Sequence, residues 1–237
     1  LQTIDNSTSG SKKIRNPRTS EFFKRLSPAL MEDWNAMEFP HSYGPNVVLF
    51  AEKESSRGIF VVLEGEVRLS INSNDGKRLS LRIARKGDIL GLSSALTGNN
   101  YEMTAETLYP AKIGHVGRAE FLNFLARHPQ VYPNVTEELS RQMMMACDQL
   151  RTVGLSQSAP EKLARLLLEW SETDQSNETG GRVRFSLTHE EIGEFIGASR
   201  ETVTRTLSNF KHRQLVSFRG SMLEIPSRTA LASYANS

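Results

Sequence analysis

The spacing of apolar residues changes twice along this chain. From Glu21 to Phe39, the residues Phe22, Phe23, Leu26, Leu30, Met31 and Trp34 recur at helical intervals and predict short amphipathic helices. Between Val47 and Val116 the pattern turns into short β-rich runs: Val47–Phe50, Ile59–Leu63, Val67–Ile71, Leu79–Ile83, Thr104–Leu108 and Ala111–Val116. Gly58, Gly65, Asn74-Asp75-Gly76, Gly87-Asp88 and Thr97-Gly98-Asn99-Asn100 punctuate them. Many short strands at this spacing predict one antiparallel barrel or jelly roll over roughly residues 40–118, not a parallel α/β sheet. The Asp75-Gly76 pair predicts a tight hairpin whose two turn positions both tolerate positive φ.

Helical spacing returns at Arg118, where Phe121, Phe124 and Leu125 suit a short helix that stops near His128-Pro129. One long helix is predicted from Pro133 to about Ser156, with the proline tolerated near its start. Its apolar residues Leu139, Met143, Ala146, Leu150 and Val153 advance by alternating steps of four and three. That repeat is a coiled-coil seam and predicts self-association; packing of the stripe on the β domain is the alternative. The cluster Met143-Met144-Met145 reads as packing. Ser158 as cap, Pro160 in the first turn and Glu161 beyond it start a further helix to Glu172, with Leu163, Leu166, Leu167 and Trp170 on one face. A polar loop, Thr173–Gly181, and a strand-like alternation, Arg182–Leu187, follow. Residues 1–19 carry almost nothing to bury and read as a mobile arm, solubilised by Lys12, Lys13, Arg15 and Arg18.

The chemistry concentrates after Leu187. Thr188–Ile196 predicts a short helix with Thr188 as N-cap and Glu191 completing a capping box. Gly197 supplies the left-handed residue that ends it. A second helix, Arg200–Phe210, follows the turn, capped by Ser199 with Thr202 three residues on; Val203, Leu207 and Phe210 face inward, while Arg200, Glu201, Thr204 and Arg205 face out. Leu215–Phe218, the turn Arg219-Gly220-Ser221 and Met222–Ile225 predict a hairpin wing. In a helix-turn-helix the second helix enters the DNA major groove with its N-terminal residues at base edges. Arg grips guanine O6 and N7, Glu accepts from cytosine N4, and Thr reaches a base or the thymine methyl; Arg219 in the wing is placed for a phosphate. The overall net charge of +2 says little, but between Arg200 and Arg228 six basic side chains stand against Glu201 and Glu224, a local surface for a polyanion.

The runs Leu187-Thr188-His189-Glu190-Glu191-Ile192-Gly193 and Ser199-Arg200-Glu201-Thr202-Val203-Thr204-Arg205 resemble the winged helix-turn-helix of the Crp/Fnr superfamily of bacterial transcription regulators. The resemblance spans about Glu21 to Pro226. It implies an α+β chain: after the arm of 1–19, an antiparallel jelly-roll-like β-roll sensor over 20–132, a dimerisation helix over 133–156, and a winged helix-turn-helix over 157–237. It further implies a homodimer on a pseudo-palindromic operator in double-stranded DNA, acting on RNA polymerase. Arg200, Glu201 and Arg205 would then read bases, while Thr188, His189, Ser199 and Thr202 lie nearer the backbone.

In cyclic-nucleotide-binding members of that superfamily, a Gly-Glu pair precedes an Arg-Ser pair, and backbone N–H groups with the Arg neutralise the cyclic phosphate. Here Gly87-Asp88-Ile89-Leu90-Gly91 keeps the approach to that cassette, but Leu92 stands for the Glu and Tyr101-Glu102 for the Arg-Ser pair. On the long helix, Cys147-Asp148 replaces the Thr-Ser pair that meets the base. Glu102 would repel a phosphate, so cAMP in the usual mode is not expected and the effector stays unnamed. Nothing in the sequence places Arg57 or Arg82 in the pocket to compensate.

Other functions are excluded by what the chain lacks. A single cysteine, Cys147, rules out an intrachain disulfide framework and a Cys-only zinc or iron–sulfur site within one chain; it reads as a structural thiol in a reducing cytoplasm. His41, His115 and His128 sit in no haem-ligating motif, and the roll lacks the His-x-His pair of a metal-binding jelly-roll enzyme, so no metal, cofactor or catalytic residue is expected. With 38% hydrophobic residues and a mean hydropathy of -0.41, nothing approaches the ~18 apolar residues of a spanning helix, and the polar start shows no secretory signal. Three alternatives stay open: a cyclic-nucleotide regulator with an atypical pocket, a regulator competent without ligand, and a nucleotide-binding module that signals by protein contact.

Overall fold

The computed structural model describes residues 20–154, 158–173, 182–184, 187–219 and 222–235. The expected arm, the loop over 174–181 and residues 220–221 of the wing turn lie outside the described residues. The chain opens with α1 (Glu21–Lys24) and α2 (Pro28–Met37), followed by β1 (Phe39–Tyr43), β2 (Val48–Phe50), β3 (Gly58–Glu64), β4 (Val67–Asn72), β5 (Arg78–Ala84) and β6 (Ile89–Leu90). Then come α3 (Leu92–Thr97), β7 (Thr104–Thr107), β8 (Ala111–Gly117), α4 (Arg118–Arg127), a single 3₁₀ turn at Pro129–Val131, and the long α5 (Tyr132–Gly154). The C-terminal head carries α6 (Ala159–Thr173), β9 (Arg182–Arg184), α7 (His189–Ile196), α8 (Arg200–His212), β10 (Ser217–Arg219), β11 (Met222–Glu224) and α9 (Arg228–Ala235).

The fold is α+β, and its strands pair antiparallel. Among the described residues, the roll is made of two four-stranded sheets, ordered β1-β8-β3-β6 and β2-β7-β4-β5. The apolar run of β3 explains how they share a centre. Ile59, Val61 and Leu63 face a core with Phe22, Phe23, Trp34, Phe121 and Phe124, while Phe60 and Val62 face the roll interior with Phe50, Leu69 and Tyr101. A strand buried on both faces needs an unbroken apolar run rather than alternation. In the first core Trp34 is fully buried, meets four phenylalanine rings edge-on, and donates its indole N–H to Glu38 at 3.1 Å.

Several elements depart from the sequence pattern. The β4–β5 hairpin forms around Asp75-Gly76, but only Gly76 has positive φ, at 81°. Ser73 N–H donates to Lys77 O and Gly76 N–H to Ser73 O, so the loop holds three residues with the glycine in the left-handed position, not a two-residue turn. β1 went unread because Phe39-Pro40-His41-Ser42 is almost wholly exposed; a proline is tolerated there because β1 is an edge strand. α3, between left-handed Gly91 and Gly98, is too short for a period to show. α9 lies beyond Ile225, where the wing hairpin was expected to end, and its Leu231 closes the head core around Leu167, Phe195, Val203 and Phe210.

α5 begins one residue earlier than expected, at Tyr132. The face it turns to its own chain is largely polar: Val135, Glu138, Gln149 and Thr152 are buried. Of the seam residues, Leu139 and Val153 are half-buried, whereas Met143, Ala146 and Leu150 are exposed.

Candidate DNA-reading face and sensor cavity

The head builds its outward face from two caps and two glycines. Thr188 Oγ1 accepts from the Glu191 N–H at 3.2 Å, and Glu191 Oε2 accepts from the Thr188 N–H at 2.8 Å, a complete capping box on α7. Gly197, at φ 64°, ends α7. Gly193 lets the turn fold back, since a Cβ there would stand 2.4 Å from Ala198 O. Ser199 then caps α8 by accepting from the Thr202 N–H at 3.3 Å. With Val203, Leu207 and Phe210 sealed in the head core, α8 turns Arg200, Glu201, Thr204 and Arg205 outward along one open face. Ser208, Asn209 and His212 prolong that face; the i+4 stripe from Thr204 through Ser208 to His212 was the signal available in the sequence.

Local chemistry commits some of these groups. Thr204 Oγ1 donates to Arg200 O at 2.9 Å, so at 2.7 Å it receives its hydrogen bond from His189 Nδ1, which ties α7 to α8. The Glu201 carboxyl is held below its ordinary value by its own backbone N–H, then by the Ser199 hydroxyl and by Arg200. It therefore faces solvent as an acceptor, the form that takes a cytosine amino group. Arg219 in the wing is exposed, 3.3 Å from Glu224.

The head is also joined to the roll. Arg68 of β4 is buried, with Nη2 on Glu106 at 2.9 Å and Nη1 on Glu191 at 3.2 Å and Glu194 at 3.4 Å. Ser80 of β5 donates to the same Glu194 oxygen at 3.1 Å. The buried Gln149 amide of α5 donates to Ser80 O at 3.2 Å and to Phe195 O at 3.0 Å. Roll, long helix and α7 thus meet at one polar joint. The sequence offered no sign of it, because the roll residues Arg68 and Ser80 lie more than a hundred residues from their partners in the head.

In the roll, a cavity of about 340 Å³ opens between β4, β6, α3 and α5. Gly91, Leu92 and Glu102 line it, and so do the seam residues Leu139 and Met143. Tyr101, Cys147 and Asp148 stand elsewhere. The Tyr101 ring stacks on Phe50 at 4.1 Å, and its hydroxyl accepts from the Arg57 and Gly58 N–H groups and donates to Gly58 O at 2.9 Å, which makes it part of the roll core. Cys147 is half-buried on α5, and Asp148 is exposed and pairs with Arg151 at 2.6 Å. Beside the cavity, Asp88 binds Arg82 at 2.7 Å and Arg141 at 3.1 Å. Burial alone would raise the Asp88 carboxyl, but the two guanidiniums and the Arg85 N–H outweigh it and hold it below its ordinary value. Among the described residues no three His, Cys, Asp or Glu side chains are grouped to hold a metal ion, and no helix is long and apolar enough to cross a membrane.

A sensor-like roll joined through a long helix to a winged helix-turn-helix defines a DNA-binding regulator, and comparison with known proteins agrees. Residues 40–128 match the cyclic nucleotide-binding domain family and residues 161–234 the Crp-like helix-turn-helix domain family. The chain is 29% identical to the transcriptional activatory protein AadR of Rhodopseudomonas palustris, over 81% of this chain and 79% of that protein. It is 26% identical to a CRP-like cAMP-activated global transcriptional regulator of Mycobacterium tuberculosis, over 86% of this chain and 89% of the other. The structure of FixK2 from Bradyrhizobium japonicum shares the fold with a TM-score of 0.74 at 24% identity, covering 83% of this chain and 96% of FixK2. The chain belongs to the Crp/Fnr family of DNA-binding transcription regulators.

Proposed function

We propose that the chain works in the cytoplasm as a homodimer that reads a pseudo-palindromic operator with one α8 from each protomer, acts on RNA polymerase, and answers to an effector sensed by the roll. The observation that carries this reading is the exposed quartet Arg200, Glu201, Thr204 and Arg205 at the N-terminal end of α8. There Arg200, Glu201 and Arg205 read base edges, with Thr204 beside them. Thr188, His189, Ser199, Thr202 and Arg219 meet the backbone, which fixes register and carries no sequence information. Residues 20–132 form the sensor, 133–156 the dimerisation helix and 157–237 the reading head.

The dimer is supported by Met143, Met144 and Leu150, which leave 70, 68 and 70% of their surface to solvent on one helix. A lone protomer gains nothing from such a stripe, and a second copy buries it. Control follows as a population shift: the effector sets the two α5 helices so that the two α8 helices stand ~34 Å apart, one turn of DNA. The joint at Arg68, Ser80 and Gln149 favours this coupling, because a shift of α5 against the roll displaces groups that hold α7 directly.

Binding-site selection from random duplex DNA supplies the operator for the test. On that duplex Arg205→Ala is expected to cost ~1–3 kcal/mol and to relax preference at one base pair of each half-site. Equal weakening on every sequence would remove Arg205 from base reading.

A further inference from the structure

We propose that the roll cavity takes a small, mainly apolar effector that is neutral or cationic and presents a hydrogen-bond donor, and that it turns anionic ligands away. The inference rests on the sensor reading above and gives it a chemistry. The walls come first: Phe50, Leu69, Leu90, Leu92, Met103 and Met143 are among the residues that line the cavity. A cavity near 340 Å³ is at the small end of ligand sites, which run about 300–1,000 Å³ and are largely apolar with a few placed polar groups. It suits a body of roughly two fused rings.

The polar groups decide the charge. Arg82 is the cation in the lining, and its guanidinium is already on Asp88 at 2.7 Å. Asp88 also holds Arg141, which in turn holds the buried Glu138 at 2.6 Å, so two guanidiniums balance two carboxylates and leave no surplus positive charge. Gln142 spends its amide N–H groups on Ile89 O at 3.0 Å and Glu138 Oε1 at 2.7 Å, and has a carbonyl oxygen left to offer. Glu102 accepts the Ser94 hydroxyl at 2.7 Å, and among the described residues no cation pairs with it. A ligand in this cavity therefore meets a carboxylate and an amide carbonyl, both acceptors. An anion meets the Glu102 carboxylate, and the guanidinium nearest to it, Arg82, already neutralises Asp88; a ligand N–H or ammonium finds two acceptors.

Three probes sharing one naphthalene body separate body from charge: 1-naphthylmethylamine (cationic), 1-methylnaphthalene (neutral) and 1-naphthoate (anionic). Binding to the full chain is followed by calorimetry, and position by the methyl resonances of Met103 and Met143 in protein labelled at methionine methyls. The amine is expected to bind about tenfold tighter than the hydrocarbon, the naphthoate and cAMP more weakly than either, with shifts centred on Met103 and Met143. Glu102→Gln, a change at an exposed side chain, should erase the advantage of the amine and leave the hydrocarbon unaffected. Naphthoate or cAMP binding as tightly as the hydrocarbon overturns the proposal, as does failure of all the probes or shifts confined to other methionines. Operator affinity is measured apart from this. Binding in the expected order that leaves operator affinity unchanged supports the ligand class and counts against the sensor role. An anion seated in the cavity overturns the class with the DNA-reading role intact.

Discussion

At the residue scale, chemistry was legible where helical periodicity sets exposure and illegible where a side chain's task depends on a distant partner. Arg200, Glu201, Thr204 and Arg205 follow from the alternation with Val203, Leu207 and Phe210, and the structure puts them on one face. Tyr101 is the opposite case. In sequence it stands where a phosphate ligand is expected, yet its hydroxyl closes backbone groups of Arg57 and Gly58, more than forty residues away. His115 could not be assigned from sequence either. It lies on the Phe60 ring with centroids 4.7 Å apart, and burial first, then Arg57 and His41, pull its pKa below the ordinary value against a small opposite pull from Glu120. Its folded pKa is depressed, so between that value and about 6.5 the unfolded chain binds more protons than the folded one. Stability is fully present above about 6.5 and falls as pH drops through that window. Thermal unfolding from pH 7.5 to 5 is expected to show that fall in the wild type and a flatter profile in His115→Gln; identical slopes would remove His115 from the pH response.

At the element scale, strong local signals matched the structure: the capping box of α7, the Ser199 cap of α8 and the Ser158–Glu161 cap of α6 all formed. Elements without a local signature were missed. β6 holds two residues and α3 six, so neither is long enough to establish a period, and pairing with β3 rather than propensity makes β6 a strand. The turn between α7 and α8 depends on a contact that sequence only hints at, the approach of Ala198 O to Gly193. Gly193→Ala puts a methyl group against a backbone oxygen that cannot swing aside. It is expected to cost ~1–3 kcal/mol in urea unfolding and to weaken operator binding further than a mere loss of folded protein explains. A Gly193→Ala variant with wild-type stability and wild-type affinity would show that the close approach is not required.

At the scale of the molecule, the order of roll, long helix and winged head was legible, because each part has its own period. How the parts touch was not. Arg68 lies in the predicted strand Val67–Ile71 with nothing in the sequence to mark its partners, yet it is buried between Glu106 of the roll and Glu191 and Glu194 of the head. Removing one partner of a buried ionic cluster typically costs ~3–5 kcal/mol, since the remaining charges stay desolvated and unpaired. Arg68→Ala leaves three carboxylates facing one another with Arg78 alone on Glu106. In calorimetry the head of this variant is expected to melt separately from, and below, the roll, where the wild type melts as one unit; a single unshifted transition would mean the joint contributes nothing to coupling.

In the proposed dimer, two heads fixed to one another through α5 read two half-sites on one face of DNA. Inserting ~5 base pairs between the half-sites of the selected operator turns the second half-site to the opposite face while leaving every base contact available. Equilibrium binding of the two duplexes by the wild type is then compared at one salt concentration, since phosphate contacts make affinity salt-dependent. The insertion is expected to lower affinity to that of an isolated half-site. Unchanged affinity would contradict the proposed dimer and leave each protomer reading DNA alone.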